Sequence, residues 1–219
     1  MGTKKYRLTE NHINIGNRIL YQIEALKDFG SVKAGDLGGY IESEKNLSQY
    51  DNAWVYGNAQ VCDNAQVYDN AQVSGDAQVS GDAQVYDNAR VYGNAWVYDN
   101  ARVYDNARVS GDAWVYDNAE VYGNARVSGD ARVSGDAEVK SREDYIVFKN
   151  WWSSARYFTW TRSNDMWKVG CFYGTGEELI KKAYNDSEIS GREYERIVRY
   201  VESILADEKR KENEPIGIK

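Results

Sequence analysis

The chain has 219 residues, a formal net charge of −7 and a single proline. That length suits one repeat domain with small flanking elements, and no apolar run is long enough to span a bilayer. Cys62 and Cys171 lie in different regions, so neither a disulfide framework nor a Cys/His metal cluster is expected.

Residues 4–31 read as strands. Tyr6 and Leu8 alternate, Ile13 and Ile15 lead into the two-residue turn Gly16-Asn17, and Tyr21, Ile23 and Ala25 continue beyond it. Residues 1–31 are expected to form a β cap over the open ladder edge of the neighbouring repeat domain.

Fifteen hexapeptides then run without a gap from Tyr50 to Val139. Nearly every one reads Tyr or Ser, Asp or Gly, Asn or Asp, Ala, a variable residue, Val. A short fixed period with one aliphatic slot predicts a β-solenoid. Alternation along a strand puts Ala53 and Val55 inside and Trp54 and Tyr56 outside, and the same pair recurs up to Ala137 and Val139. The Asp-Asn, Gly-Asn and Gly-Asp pairs tolerate the positive φ of a sharp corner. With three hexapeptides per coil, Tyr50, Tyr68, Tyr86, Tyr104 and Tyr122 fall in one column, and Gly57, Gly75, Gly93, Gly111 and Gly129 in another. The register extends backwards through Gly35-Asp36-Leu37, Ile41-Glu42-Ser43 and Leu47-Ser48-Gln49, which fall on the Ala-x-Val slots of a degenerate first coil. Ile41 and Leu47 are expected on enlarged Ala slots there, with Ser43 and Gln49 on Val slots. The repeat domain then covers residues 32–140 in about six coils.

From Asp144 the period is lost. Residues 141–219 read as an α+β module of three strands, over 145–148, 156–161 and 166–173, with two helices after them. Thr175 with Glu178, and Ser190 with Glu193, have capping-box spacing. Tyr194, Ile197, Val198, Val201, Ile204 and Leu205 form one apolar stripe, and a charged tail is expected to fray after Asp207.

Val55 with Ala59, Val61 with Ala65 and each later pair place an aliphatic residue at i and a small one at i+4. In this the chain resembles the left-handed β-helix of hexapeptide-repeat proteins. It departs at i+1, where that family has Gly, Ala, Glu or Asp and this chain has Tyr, Ser or Cys62. The left hand comes from the resemblance and not from the period. The expected fold is mainly β: a three-sided left-handed parallel β-helix with a short N-terminal β cap and a C-terminal α+β module. The segment Gly35 to Ser48, the array and Asp144 to Gly176 together resemble poorly characterised phage and prophage proteins. That resemblance implies a mobile-element origin and a bacterial host cytoplasm, and it brings no catalytic residues. A cytoplasmic location also agrees with an opening that has no charged-then-apolar signal.

The obvious enzymatic reading is a hexapeptide-repeat acyltransferase acting on acyl-CoA. Such an enzyme needs a general base, usually His, to deprotonate the acceptor. The one histidine, His12, lies among the N-terminal strands, and the array has no loop insertion to shape an acceptor pocket. Gly174-Thr175-Gly176 lacks the full phosphate-loop spacing and reads as a helix cap. The column Asp51, Asp69, Asp87 and Asp105 reads as solvated corners rather than a cation site. No catalytic residue, cofactor or metal is therefore expected.

The array carries twelve Asp and two Glu against five Arg, a net of −9. Such a prism repels a phosphate backbone, so direct nucleic-acid binding is not expected; a nucleic-acid-mimicking inhibitor is an alternative reading. The aromatic surface is more informative. One side holds Tyr50, Tyr68, Tyr86, Tyr104 and Tyr122, and the next holds Trp96, Tyr98, Trp114 and Tyr116. Trp151 and Trp152 add a second aromatic surface in the C-terminal module. Large aromatic patches mark interfaces. The expected function is a non-enzymatic phage binding or scaffold protein that engages a host bacterial protein, self-associates as a dimer or trimer, and acts against a host defence system.

Overall fold

The computed structural model describes residues 4–213. The chain opens with an antiparallel hairpin, β1 (Tyr6–Ile15) and β2 (Arg18–Ala25), closed at Gly16-Asn17 with Gly16 at φ 57°. Strand β3 (Leu37–Ile41) joins the hairpin to the solenoid, pairing antiparallel with β2 on one edge and parallel with the array on the other. A single 3-10 turn comes next, at Glu44–Asn46.

Fifteen two-residue strands, β4 (Trp54–Val55) through β18 (Glu138–Val139), then recur once per hexapeptide. They stack in three parallel ladders in which residues eighteen apart are partners, as Val91 is with Val73 and Val109. The coil is three-sided, and the inward Ala and Val are fully buried in one continuous core from Ala53 to Val139. The variable slots define the sides. One carries Gln60, Gln78, Trp96, Trp114 and Arg132, here called the Trp face. The Arg face carries Trp54, Gln72, Arg90, Arg108 and Arg126. The Glu face carries Gln66, Gln84, Arg102, Glu120 and Glu138.

The corners explain the hexapeptide chemistry. All fifteen second positions have positive φ, which glycine adopts freely and aspartate tolerates, the aspartates lying between 52° and 60°. Aspartate adds a hydrogen bond between coils: Asp69 Oδ2 accepts the Asp87 N–H at 3.3 Å, and Asp105 Oδ2 accepts that of Gly123 at 3.0 Å. The next position stacks side-chain amides on their neighbours, as Asn94 donates to Asp112 at 2.9 Å and Asn118 to Asp136 at 3.0 Å.

The first coil departs from the expected register: Gly35 and Leu37, expected on inward slots, are exposed, and Leu37 pairs with Glu24 of the hairpin instead. Ile41 pairs with Val61 and Leu47 bridges Val67, so each lies twenty residues before its partner and occupies a Val slot, not an Ala slot. Regular spacing resumes where the Asn52 N–H donates to Asp69 O. Two extra residues, Gln49 and Tyr50, are accommodated between. Gln49 is used: its Oε1 accepts the Lys5 and Tyr6 N–H groups and ties the hairpin to this corner. Trp54 occupies a slot that alternates with inward residues, yet it is buried, edge-on to Tyr6 and Phe29 of the N-terminal segment.

A short 3-10 turn at Arg142–Asp144 leads into a four-stranded antiparallel sheet, β19 (Tyr145–Lys149), β20 (Tyr157–Thr161), β21 (Met166–Val169) and β22 (Phe172–Gly174). The expected three strands become four because Gly170, at φ 57°, turns the chain between β21 and β22. Helices α1 (Gly176–Asp186) and α2 (Glu188–Asn213) cover the far face of the sheet. The Thr175–Glu178 capping box forms. The second expected box does not, because α2 starts earlier: Ser187 Oγ accepts the Ser190 N–H at 3.1 Å. Helix α2 also continues past Asp207, where fraying was expected, to Asn213.

The sheet is two-faced. Ile146, Phe148, Phe158, Trp160 and Trp167 pack with Leu179, Ile180, Tyr194, Val198 and Val201 of the helices. Tyr145 and Val147 point the other way and pack on the end of the solenoid core. Among the described residues no helix is long and apolar enough to cross a membrane.

Candidate functional site

The Tyr column stands on the corner beyond the Glu face, from Tyr68 to Tyr122. Its rings stack at 4.9–5.2 Å and within 5° of parallel. The hydroxyls reach along the axis, Tyr104 donating to Glu120 at 2.7 Å and Tyr122 to Glu138 at 3.0 Å. Burial, aided by Tyr86 and the corner aspartates, pushes the Tyr68 phenol up to about 12. Tyr50 is not part of this column. Its two-residue corner insertion shifts it off the stack, and Ser48 takes the equivalent slot by donating its N–H to Val67 O. Tyr50 is consequently 78% exposed.

The second aromatic group, on the Trp face, lines a cleft. Trp96 and Trp114 stack at 5.0 Å, Tyr98 and Tyr116 at 4.9 Å, and Tyr98 meets Trp114 edge-on. The C-terminal module forms the opposite wall with Arg156, Tyr157, Lys168, Gly170 and Cys171, enclosing about 550 Å³. Lys168 lies 5.6 Å over the Tyr116 ring, which is nearly buried, while Trp96 stays exposed at the rim. The Arg132 guanidinium sits 3.7 Å over Trp114. Its Nη1 is buried with no hydrogen-bond partner. Three cations, Arg132, Arg156 and Lys168, thus face one carboxylate, Asp130, in a chain that is acidic as a whole. Cations beside apolar rings favour a ligand that brings a carboxylate or another anion next to a flat apolar group.

The tryptophan pair divides. Trp152 packs on Phe158 and edge-on to Tyr194 in the module core, whereas Trp151 is 75% exposed. Of the residues expected at interfaces, the structure brings Tyr98, Trp114 and Tyr116 into the cleft with Trp96 at its rim. It leaves Tyr50 and Trp151 exposed outside the cleft, Trp151 edge-on to Trp152, and self-stacks Tyr68, Tyr86, Tyr104 and Tyr122. The cationic half of the cleft was missed because Arg156 and Lys168 come from a strand edge and a strand remote in sequence from Arg132.

The remaining chemical candidates lie elsewhere. His12 is exposed on β1, with Nδ1 3.0 Å from Glu10 O. Burial, with Asp63 beside it, pushes the Cys62 thiol up to about 11, and Cys171 is exposed. Among the described residues no cluster of three or more His, Cys, Asp or Glu side chains could hold a metal ion.

Residues 59–75, 65–81, 83–99, 101–117, 119–135 and 125–139 match the YdcK β-solenoid repeat family. The array is a β-solenoid repeat. The YdcK matches lie within it and leave the hairpin and the C-terminal module uncovered. No curated protein matches the chain.

Proposed function

We propose that the chain is a non-enzymatic binding scaffold of phage or prophage origin, whose recognition surface is the cleft between the Trp face and the C-terminal module. The observation that carries this reading is the stacked aromatic wall of Tyr98, Trp114 and Tyr116, faced across the cleft by Arg156 and Lys168. Arg132, Arg156 and Lys168 beside these rings favour an incoming carboxylate. The partner is a host protein that presents an acidic residue beside an aromatic or aliphatic one; a component of a host defence system is the class to examine first. The exposed position of His12, away from the cleft, supports a role without acid–base chemistry. The exposed edge of Trp96 beside the cleft supports self-association on the same face.

Cys171 gives the test a handle inside the cleft. A photo-crosslinker attached there, in a Cys62→Ser background, should trap one host protein from lysate, and Arg156→Glu with Lys168→Glu should abolish the adduct. Equal capture by the charge-reversed protein places recognition elsewhere. Light scattering of Trp96→Glu against wild type tests self-association: a wild type that is monomeric at high concentration removes it. Turnover of acetyl-CoA that is lost in His12→Ala overturns the non-enzymatic reading.

A further inference from the structure

Five arginines lie in the array, and their surroundings differ by face. Arg102 on the Glu face pairs with Glu120, and Arg132 on the Trp face lies over Trp114. On the Arg face, Arg90, Arg108 and Arg126 are direct cross-strand partners. None of these three side chains makes an ion pair, hydrogen bond or ring contact with a described residue. Like charges in directly opposed slots destabilise a ladder, and the sequence uses glutamine at Gln72 on the same face, so the repeat does not demand arginine. Arg142 and Tyr145, just beyond the array, close the end of this column. A recess of about 380 Å³ results, walled by Arg108, Arg126 and Arg142 with the hydroxyls of Ser110, Ser128 and Tyr92.

We propose that this recess binds a small molecule carrying two or more phosphate groups. Guanidinium groups take phosphate oxygens in pairs, and stacked arginines repeat at about 4.8 Å along the ladder, which suits linked phosphates better than a single one. The hydroxyls supply further donors. The ligand is small because the recess is bounded. A long polyanion would have to cross acidic corners, Asp87 and Asp105 before the arginines and Asp112 and Asp130 after them. Ligand binding would also relieve the repulsion between the stacked arginines. The site lies on a different face from the cleft, so it stands or falls independently of it.

Calorimetry with inorganic tripolyphosphate tests the proposal. The wild type should bind one equivalent saturably, and orthophosphate or sulfate should bind at least about tenfold more weakly. Arg108→Gln with Arg126→Gln should lose at least about tenfold in affinity, while its ligand-free melting temperature equals or exceeds that of wild type, because a like-charge pair has gone. Arg142→Gln, outside the ladder, gives the same loss without touching the repeat. No saturable heat at millimolar tripolyphosphate overturns the proposal, as does undiminished binding by both variants. Tight binding of a single-stranded oligonucleotide that tripolyphosphate does not displace overturns it in favour of a nucleic-acid surface.

Discussion

Thr159 Oγ1 accepts the Arg132 backbone N–H at 2.9 Å, and so terminates a ladder that has no further coil. The same device recurs on the other two sides. Ser163 Oγ accepts the Glu138 N–H at 2.7 Å, and Tyr145 Oη accepts the Ser128 N–H while donating to Arg126 O. At the opposite end Lys5 Nζ donates to Tyr50 O and Ala53 O, and Tyr6 Oη donates to Leu47 O. Both open edges, which would otherwise pair with other chains, are closed by side chains from the flanking elements.

Thr159→Val keeps the shape of the side chain and removes the acceptor. Thr159 is buried, so the Arg132 N–H loses its partner without gaining water, and stability should fall by about 1–3 kcal/mol. Urea unfolding monitored by circular dichroism measures this. An unchanged midpoint would show that water meets the N–H instead.

Val97 is fully buried in a middle coil. Val97→Asp places a carboxylate among Ala and Val with no cation to meet it, and the loss should be roughly 3 kcal/mol or more. A thermal melt indistinguishable from wild type would contradict the inward assignment of the Val slots.

The two phenol classes separate under mutation. Tyr86 stacks on both Tyr68 and Tyr104, and each such contact is worth about 0.5–1.5 kcal/mol, so Tyr86→Ala should cost about 1–3 kcal/mol. Tyr50 makes no ring contact among the described residues, and Tyr50→Ala should stay within about 0.5 kcal/mol. Equal losses in the two variants would argue against the corner insertion.

How much of the fold was legible depends on what a period can encode. The Ala and Val slots, the eighteen-residue coil and the positive-φ corners are all repeated, so fifteen copies of each state the same rule. The insertion of Gln49 and Tyr50 is stated once, in a coil with no Ala-x-Val pair. Ile41 and Leu47 fit either inward slot by size, and only the pairing with Val61 and Val67 decides between them. Thr159 and Thr161 alternate with Phe158 and Trp160, which marks a two-faced strand. That alternation does not say that the polar face meets backbone groups of a coil end. The cleft was half legible: its aromatic wall is in the repeat, while Arg156 and Lys168 reach it only through the docking of the module.

Alkaline pH should unfold the protein through the Tyr column. The Tyr68 phenol is raised to about 12, and Tyr104 is raised further by burial and by its hydrogen bond to Glu120. A folded-state value above the unfolded one means stability is complete below pH 10 and falls as pH rises from 10 through 12. Lys5 acts in the opposite sense, since burial lowers it to about 8. Between pH 8 and 10 its release of a proton in the folded state raises stability. Melting temperature should therefore climb slightly from pH 7 to 10 and then drop; Lys5→Met should remove the climb and keep the drop.

Thiol labelling should distinguish the two cysteines. Cys171 is exposed, whereas Cys62 is half-buried, raised to about 11 and set beside Asp63. At about pH 7.5, which leaves little thiolate on Cys62, a maleimide should modify one site rapidly, identified as Cys171 by peptide mass. Rapid modification of both would show that the first coils open.

Because the hairpin reaches no further along the array than Asp63 and the C-terminal module no further back than Tyr98, the number of coils between them is unconstrained by either. Excising residues 74–91 joins Val73 to Tyr92 in phase, and both closures keep all their contacts. The separation between the hairpin and the C-terminal module then shortens by one step of about 4.8 Å. The molecule is a gauge graduated in coils, and any partner that touches both ends would read its length.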